Sequence, residues 1–218
     1  MSYMSRYEAV IFDMDGVIVD SEPRHKRAFL QVFDEMGYAD THGIVFEDFL
    51  GQSDRAVWKH FVKVHQPQQD IDHLTDWKEQ TFIKMLHDEQ PIFKGVPELA
   101  DRLRTTHPLA VASGSVHRII DEVLSLQGLR ERFKAVASVD DVQHAKPAPD
   151  IFLYAAKLLN VAPEKICVIE DTLAGIQAAE AAGMDVVAVT NTFPKEAVTH
   201  ANFVSDTYEE IGDWILGR

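Results

Sequence analysis

Short apolar runs of strand length recur along the chain, and in its second half they are separated by patterns typical of helices. The runs are AVIF (9–12), LAVA (109–112), AVAS (135–138), ICVI (166–169) and VVAV (186–189). Apolar residues at three- and four-residue spacing cover 118–127, 150–159 and 173–182. Gly128 and Gly183 are placed to end the first and the last of these helices. Strands that alternate with helices predict a parallel sheet with helices on both faces.

The segment from about residue 23 to residue 93 breaks this rhythm. Helical patterns cover 24–36, 54–65 and 71–88, and no comparable strand-like run separates them. A helical segment inserted after the first strand predicts a separate small domain, joined to the core by two connections that can act as a hinge. The predicted domains are an α/β core of residues 1–20 and 94–218 and a helical domain of residues 21–93.

Length and composition fit a core domain with a smaller insert. The chain has 218 residues, of which 46% are hydrophobic and 26% charged. No apolar stretch approaches the ~20 residues that a membrane span needs, and the N-terminal sequence lacks the pattern of a secretory signal. The one cysteine, Cys167, lies in an apolar run, so we expect a packed core thiol and no disulfide framework. These features favour a cytoplasmic protein.

The charge balance restricts the kind of partner. Lys and Arg number 21 against 35 Asp and Glu, which gives a net charge of −14. Nucleic-acid binding requires a basic surface, so it is not expected here. An anionic substrate would be repelled at long range and must be drawn in by a metal ion or by locally placed Lys and Arg side chains.

Residues with reactive or ligating side chains follow four of the predicted strands. In chain order they are Asp13 and Asp15, then Ser113, Gly114 and Ser115, then Lys146, then Glu170 and Asp171. Each fragment alone has an ordinary explanation as a turn, a helix cap or a surface group. Their common position is more informative, because ligands of open parallel sheets bind beyond the carboxyl ends of the strands. The four fragments together therefore predict one site.

The chemistry of that site is coherent. Crowded carboxylates favour a hard cation such as Mg²⁺, which takes oxygen ligands. A hydroxyl, backbone amides at a helix start and a lysine suit the oxygens of a phosphate. One aspartate can attack a phosphoryl group, and a second can donate a proton to the leaving oxygen and later deprotonate water. The pattern predicts phosphoryl transfer.

Four ordered motifs resemble those of the haloacid dehalogenase-like superfamily, in its phosphatase and phosphohexomutase branch. They are DMDGVIVDSE (13–22), ASGS (112–115), KPAPD (146–150) and EDTLAGIQAAEAAG (170–183). The resemblance spans nearly the whole chain and implies an α/β fold, a Rossmann-like doubly wound parallel sheet with an inserted all-helical cap domain. It also implies Mg²⁺ as cofactor and a small phosphomonoester as substrate. We expect a monomer or small homo-oligomer, with no nucleic-acid or membrane partner.

The resemblance implies separate roles for the two aspartates of the first motif. Asp13 would be the nucleophile that forms an aspartyl-phosphate, and also a Mg²⁺ ligand. Asp15 would be the general acid/base, with its backbone carbonyl on the metal. True dehalogenases and phosphonate-cleaving relatives lack this second aspartate, so the sequence resembles neither of them.

The other motifs imply a phosphate-binding and a metal-binding part. Ser113 and the Gly114 amide would hold phosphate oxygens, and Lys146 would bridge the phosphate and the nucleophile. Asp171 would bind Mg²⁺, with Glu170 beside it as a ligand either directly or through water.

The predicted cap holds three candidate substrate-binding residues. Lys78 matches a cap lysine of the β-phosphoglucomutase-like enzymes, and His25 matches a histidine near their hinge. Many sugar-phosphate phosphatases also carry a sequence similar to DSEPRH (20–25), so His25 does not distinguish the two activities. Arg55 is the third candidate. The ordinary alternatives are a polar helix-face residue for His25 and solvated surface for Lys78 and Arg55.

Two departures from the mutase pattern favour a phosphatase. In GQSDR (51–55), Asp54 stands where the mutases have arginine, and Arg55 comes one position later. Val116 stands where they have a lysine after the serine motif. Both changes remove a cation that would bind a second phosphate. A sugar-phosphate phosphatase is therefore favoured, with a phosphohexomutase as the alternative and a non-catalytic phosphate-binding protein as a third, less favoured one.

Overall fold

The computed structural model describes residues 6–49 and 53–217. The chain divides into two compact units, Met1–Asp20 with Pro91–Arg218 and Ser21–Gln90. They are called here the core unit and the helical unit. The return to the core falls at residues 90 and 91, whereas the sequence pattern predicts it near residue 93.

The core unit is built on one parallel sheet of six strands. In chain order the strands are β1 (Ala9–Phe12), β2 (Leu109–Ser113), β3 (Ala135–Ser138), β4 (Ile166–Glu170), β5 (Asp185–Val189) and β6 (Phe203–Ser205). Their spatial order is β3-β2-β1-β4-β5-β6, and every neighbouring pair is parallel. The predicted α/β class and the five predicted strands are confirmed. The sequence pattern missed β6, which has only three residues, two of them half-buried.

Eight α-helices complete the described part of the chain. They are α1 (Glu22–Glu35), α2 (Asp54–His65), α3 (Ile71–Glu89), α4 (Val96–Leu103), α5 (His117–Ser125), α6 (Asp150–Leu159), α7 (Leu173–Ala181) and α8 (Tyr208–Leu216). Helices α4 and α8 are not predicted from the sequence pattern. None of the helices in residues 6–49 and 53–217 has the length and hydropathy that crossing a bilayer requires.

The predicted helix ends are confirmed in one case and wrong in the other. Gly183, with φ +75°, follows the end of α7 as expected. By contrast, α5 ends at Ser125, two residues before the predicted end. The reason is that Gln127 and Gly128 both have left-handed backbone angles and belong to a short 3₁₀ segment, Leu126–Arg132.

The core of the helical unit is a cluster of aromatic and aliphatic side chains. Phe29 and Phe33 of α1 and Trp58 and Phe61 of α2 are buried together with Leu74 of α3. Burial of this apolar surface, worth roughly 25 cal/mol per Å², explains why three amphipathic helices pack as one unit.

The strand order fixes where a ligand site can form. The chain runs from β1 outward to β2 and β3, then returns to β4 on the other side of β1. The carboxyl ends of β1 and β4 therefore flank the switch point at which α/β proteins bind ligands.

Cys167 lies inside β4 and is fully buried, and burial raises its pKa. The expected packed core thiol is confirmed.

Candidate active site

A tight turn directly after β1 carries the first two predicted residues. The amide of Asp13 donates to the Ile169 carbonyl oxygen at 2.9 Å, which fixes this residue beside β4. The Met14 carbonyl oxygen then accepts the amides of residues 17–19 at 3.2, 2.7 and 3.0 Å. Gly16, with φ +78°, lets the chain turn this sharply. The turn directs Asp13 toward Lys146 and Asp15 toward the serine motif.

Three carboxylates meet at the switch point with little exposure to solvent. Asp13 is 6% exposed, and Glu170 and Asp171 are each 1% exposed. One oxygen from each carboxylate lies within 4.8 Å of the others. Burial raises the pKa of Asp13 well above its ordinary value; the Lys146 ammonium opposes this rise, and the neighbouring carboxylates add to it. The cluster is therefore costly to ionise without added positive charge.

Lys146 is the cation that the chain itself supplies to this cluster. Its Nζ donates to Asp13 Oδ1 at 2.5 Å and to Glu170 Oε1 at 2.7 Å. The same Nζ lies 4.7 Å from the centroid of the Phe152 ring. Burial opposes the charge of Lys146, but the two carboxylates outweigh it and raise its pKa. One ammonium thus pairs with two of the three carboxylates.

Glu170 has both of its oxygens in use. Besides the Lys146 contact through Oε1, its Oε2 accepts the amides of Asp171 and Thr172, each at 2.8 Å, and the Thr172 hydroxyl at 3.0 Å. A Cβ at Gly175 would overlap this carboxylate, so only glycine fits there. Glu170 therefore joins Lys146 to the start of α7.

Asp171 has one oxygen paired and one unpaired. Its Oδ2 accepts a hydrogen bond from the Thr192 hydroxyl. Its Oδ1 is buried and has no hydrogen-bond partner among the described residues. Burial and then the charge of Glu170 raise the pKa of Asp171 to about 7. A buried oxygen without a partner is costly unless a ligand satisfies it, and an all-oxygen donor set fits a hard divalent cation.

The serine motif after β2 lies beside Asp15. Asp15 Oδ2 accepts the Ser115 hydroxyl at 2.9 Å and the Ser113 hydroxyl at 3.3 Å. Ser113 Oγ also accepts the Ser115 amide at 3.0 Å. The space that a Cβ would occupy at Gly114 is open. Ser115 lies in the ASGS motif but has no predicted role of its own.

Two further residues of the site come from the loop after β5. Thr192 contacts Asp171, as described above. Asn191 Nδ2 donates to the Gly16 carbonyl oxygen at 2.7 Å and to the Tyr208 hydroxyl oxygen at 2.9 Å. Neither residue is predicted from the sequence. The signal was available, since they follow the fifth apolar run as the other site residues follow theirs.

In the helical unit, Lys78 is 1% exposed, so the solvated-surface interpretation of this residue is wrong. Its Nζ donates to Asp54 Oδ2 at 2.6 Å and contacts His25 Nδ1. It also lies 5.0 and 5.1 Å from the ring centroids of Phe29 and Phe82. The Lys78 ammonium thus has a carboxylate partner within its own unit.

The other two cap candidates have different surroundings. The His25 ring stacks on Phe82 with a centroid separation of 4.0 Å. Arg55 pairs with Asp72, and both side chains are more than half exposed. Such exposed pairs contribute little to stability. Gly51 and Gln52, the first two residues of the motif compared with the mutases, lie outside the described residues.

The fold and the site define a class of protein. A doubly wound parallel sheet gathers buried carboxylates, a lysine and serine hydroxyls at its switch point. The family model for haloacid dehalogenase-like hydrolases matches residues 10–189. The chain belongs to this family, which confirms the family and the hydrolase class predicted from the four motifs.

Several known proteins resemble this chain over most of its length. The fructose-1-phosphate phosphatase YqaB of Escherichia coli is 37% identical over 189 residues, covering 84% of this chain and 97% of the relative. A phosphorylated carbohydrates phosphatase of Thermotoga maritima is 31% identical over 183 residues, 82% of either chain. The crystal structure of a putative beta-phosphoglucomutase from Thermotoga maritima matches with a TM-score of 0.80 and 26% identity, covering 95% of this chain and 98% of that one.

Without divalent cations, the stability of the protein is expected to fall as the pH rises from about 4 to about 7. The pKa of Asp171 is raised to about 7, whereas an aspartate in an unfolded chain titrates near 3.9. Between these values the folded state holds more protons than the unfolded state, so the free energy of unfolding decreases with pH. The decrease is expected to be on the order of a few kcal/mol. Urea unfolding in EDTA at a series of pH values measures the change.

The matched control is Asp171→Asn, which cannot ionise at this position. Its free energy of unfolding in EDTA should decrease less over the same pH range than that of the unchanged protein. Added Mg²⁺ should restore stability to the unchanged protein most strongly near pH 7. If the free energy of unfolding decreased equally with pH in the two proteins, the raised pKa of Asp171 would be contradicted.

Proposed function

We propose that the protein is a Mg²⁺-dependent phosphatase that hydrolyses a small phosphomonoester, a sugar phosphate, through an aspartyl-phosphate intermediate. The observation that carries the proposal is the contact of Lys146 with Asp13 and Glu170 beside the unpaired oxygen of Asp171. This cluster holds a nucleophile, a cation for phosphate oxygens and a ligand atom for a metal. The sugar-phosphate class is supported by the two phosphatase relatives.

Charge explains why a metal ion belongs to the proposal. A phosphate brought to Asp13 would add negative charge to a cluster of three carboxylates that contains one ammonium. Like charges about 4 Å apart repel by roughly 4 kcal/mol at an effective dielectric constant of 20. When bound, Mg²⁺ would be held by Asp13, Asp171 and the Asp15 carbonyl, with Glu170 beside it, and would supply the positive charge that offsets this repulsion.

Three groups of the core unit bind the phosphate together. The Ser113 hydroxyl and the Gly114 amide donate to phosphate oxygens, and the Lys146 ammonium donates both to the phosphate and to Asp13 Oδ1. The same contact favours the ionised, nucleophilic form of Asp13. Because Glu170 Oε1 also holds Lys146, the ammonium is fixed before the substrate arrives.

The chemical steps use both aspartates. Asp13 attacks phosphorus through a carboxylate oxygen while the bond to the leaving oxygen breaks, and the Asp15 carboxyl group donates its proton to that oxygen. Asp15, now ionised, takes a proton from a water molecule that attacks phosphorus. The bond between phosphorus and Asp13 breaks, and inorganic phosphate and the free carboxylate are released. The Ser115 hydroxyl orients Asp15 for both proton transfers.

The helical unit supports hydrolysis over mutase activity. A phosphohexomutase must hold a second phosphate, and Lys78 is the cap lysine that the resemblance assigns to it. In this protein Asp54 already pairs with that ammonium, so an approaching phosphate would meet a carboxylate. Substrate binding by His25, Arg55 and Lys78 remains part of the proposal.

A phosphate-release screen tests the proposed function. The unchanged protein is incubated with sugar phosphates, nucleotides and phosphoglycolate, with Mg²⁺ or with EDTA. In parallel, glucose 1-phosphate is supplied with a bisphosphate activator to detect conversion to glucose 6-phosphate. We expect saturable release of inorganic phosphate from a sugar phosphate, lost in EDTA and restored by Mg²⁺. Isomer conversion with little phosphate release would identify a mutase instead, and binding without turnover a non-catalytic protein.

A further inference from the structure

The two oxygens of Asp171 have different surroundings. Oδ2 accepts the Thr192 hydroxyl, whereas Oδ1 is buried without a hydrogen-bond partner among the described residues. The contact with Thr192 therefore fixes the orientation of the carboxylate plane and leaves the other oxygen available to a ligand.

We propose that Thr192 is a positioning residue of the cation site, which holds Asp171 Oδ2 so that Oδ1 is presented to the divalent cation. This inference rests on the proposed function only in requiring that a divalent cation binds Asp171. Thr192 itself is assigned no contact with substrate or metal. Its hydroxyl donates a hydrogen bond to Oδ2 of that carboxylate.

The loop that carries Thr192 is held in place by its neighbours. Asn191 Nδ2 bridges the Gly16 carbonyl oxygen and the Tyr208 hydroxyl, at 2.7 and 2.9 Å. The Tyr208 hydroxyl in turn donates to the Val17 carbonyl oxygen at 2.6 Å. The loop after β5 is thereby joined both to the turn after β1 and to α8. Thr192 is presented to Asp171 from a fixed backbone.

The absence of a side chain at Gly16 leaves room for this contact. A Cβ there would overlap Asp171 Oδ2 and lie 3.0 Å from Thr192 Oγ1. The backbone of the turn, the carboxylate and the hydroxyl are thus packed directly against one another. Partners that orient a metal ligand in this way change metal affinity about 10- to 100-fold when they are removed.

Two substitutions at Thr192 separate the effect of its hydroxyl group from the effect of the shape of its side chain. Thr192→Val keeps the branched shape and removes the donor, whereas Thr192→Ser keeps the donor. Calorimetric titration of EDTA-treated, full-length protein with Mg²⁺ gives the dissociation constant without using activity. We expect Thr192→Val to weaken Mg²⁺ binding about 10- to 100-fold and Thr192→Ser to stay within a few-fold of the unchanged protein. At saturating Mg²⁺, most of the turnover of Thr192→Val should return.

The results of these measurements distinguish a failure of the proposed cofactor from a failure of the role of Thr192. If the unchanged protein binds no Mg²⁺, the proposed cofactor fails. If the unchanged protein and Thr192→Val bind Mg²⁺ equally, only the role of Thr192 fails. A loss of thermal stability in Thr192→Val with unchanged Mg²⁺ affinity shows a purely structural role and also overturns the inference. Should Thr192→Val not fold, Thr192→Ala is compared with Thr192→Ser, and equal affinities in these two variants would overturn it.

Discussion

Asp13→Asn is expected to lose phosphatase turnover by a factor on the order of 10⁴ or more, the scale seen when a covalent nucleophile is removed. The amide has nearly the same shape as the carboxylate but cannot attack phosphorus. The measurement is release of inorganic phosphate at saturating Mg²⁺ from the best substrate of the screen. Turnover equal to that of the unchanged protein would contradict an aspartyl-phosphate mechanism.

The same variant should remain folded, and the structure indicates why. Burial and neighbouring carboxylates raise the pKa of Asp13, so its ionised form is costly in the metal-free protein. Asparagine removes that cost, and Lys146 retains Glu170 as a partner. We expect the melting temperature in EDTA at pH 7 to be equal to or higher than that of the unchanged protein. The loss of activity then cannot be attributed to unfolding.

Asp206→Asn is the matched control for this substitution. Asp206 is exposed and follows β6, and the chemical change is identical. Its turnover and its melting temperature should both stay close to those of the unchanged protein. A loss of turnover in Asp206→Asn comparable with that of Asp13→Asn would show that the assay reports something other than the nucleophile.

The central strands could be predicted from the sequence because they are buried on both faces. Every residue of β1, β2 and β4 is buried, and apart from the last residues of β2 and β4, Ser113 and Glu170, each strand is an uninterrupted apolar run. Strand β6 has only two consecutive apolar residues, Phe203 and Val204, before Ser205, which is too short a run to indicate a strand. An apolar run therefore identifies the longer strands, edge strand β3 among them, more readily than the three-residue β6.

The residues of the candidate site also differ in how readily the sequence reveals them. Carboxylates and a lysine at strand ends are conspicuous in a sequence, because ionisable groups next to a core are costly without a function or a partner. Thr192 and Asn191 are not conspicuous, since hydroxyl and amide side chains are common in loops. Their importance depends on contacts with Asp171 and Gly16, which are distant in sequence.

The pairing of Lys78 with Asp54 could not be predicted for a related reason. Asp54 is the first residue of α2, and Lys78 lies within α3, 24 positions later in the chain. Helical periodicity identifies the face on which each residue lies, but not which residue of another helix it meets. The aromatic rings that cover the Lys78 ammonium likewise come from two helices, α1 and α3.

Gly16→Ala is expected to lower turnover about 100-fold or more and to weaken Mg²⁺ binding. A Cβ at this position would overlap the Asp171 carboxylate, so either the carboxylate or the turn that carries Asp13 must move. A displacement of about 1 Å at a catalytic group costs on the order of 100-fold in rate. Phosphate release and calorimetric titration with Mg²⁺ measure the two effects.

Gly183→Ala is the control that separates the effect of the close packing of Gly16 against Asp171 from the cost of the backbone conformation. The two glycines have nearly equal φ angles, +78° for Gly16 and +75° for Gly183, and left-handed angles cost an alanine about 1–2 kcal/mol. At Gly183 a Cβ would have no atom within 4 Å. Both variants should therefore lose stability in urea unfolding, but only Gly16→Ala should lose turnover and Mg²⁺ affinity. Equal activity in the two variants would mean that the packing of Gly16 against Asp171 does not position the cation ligand.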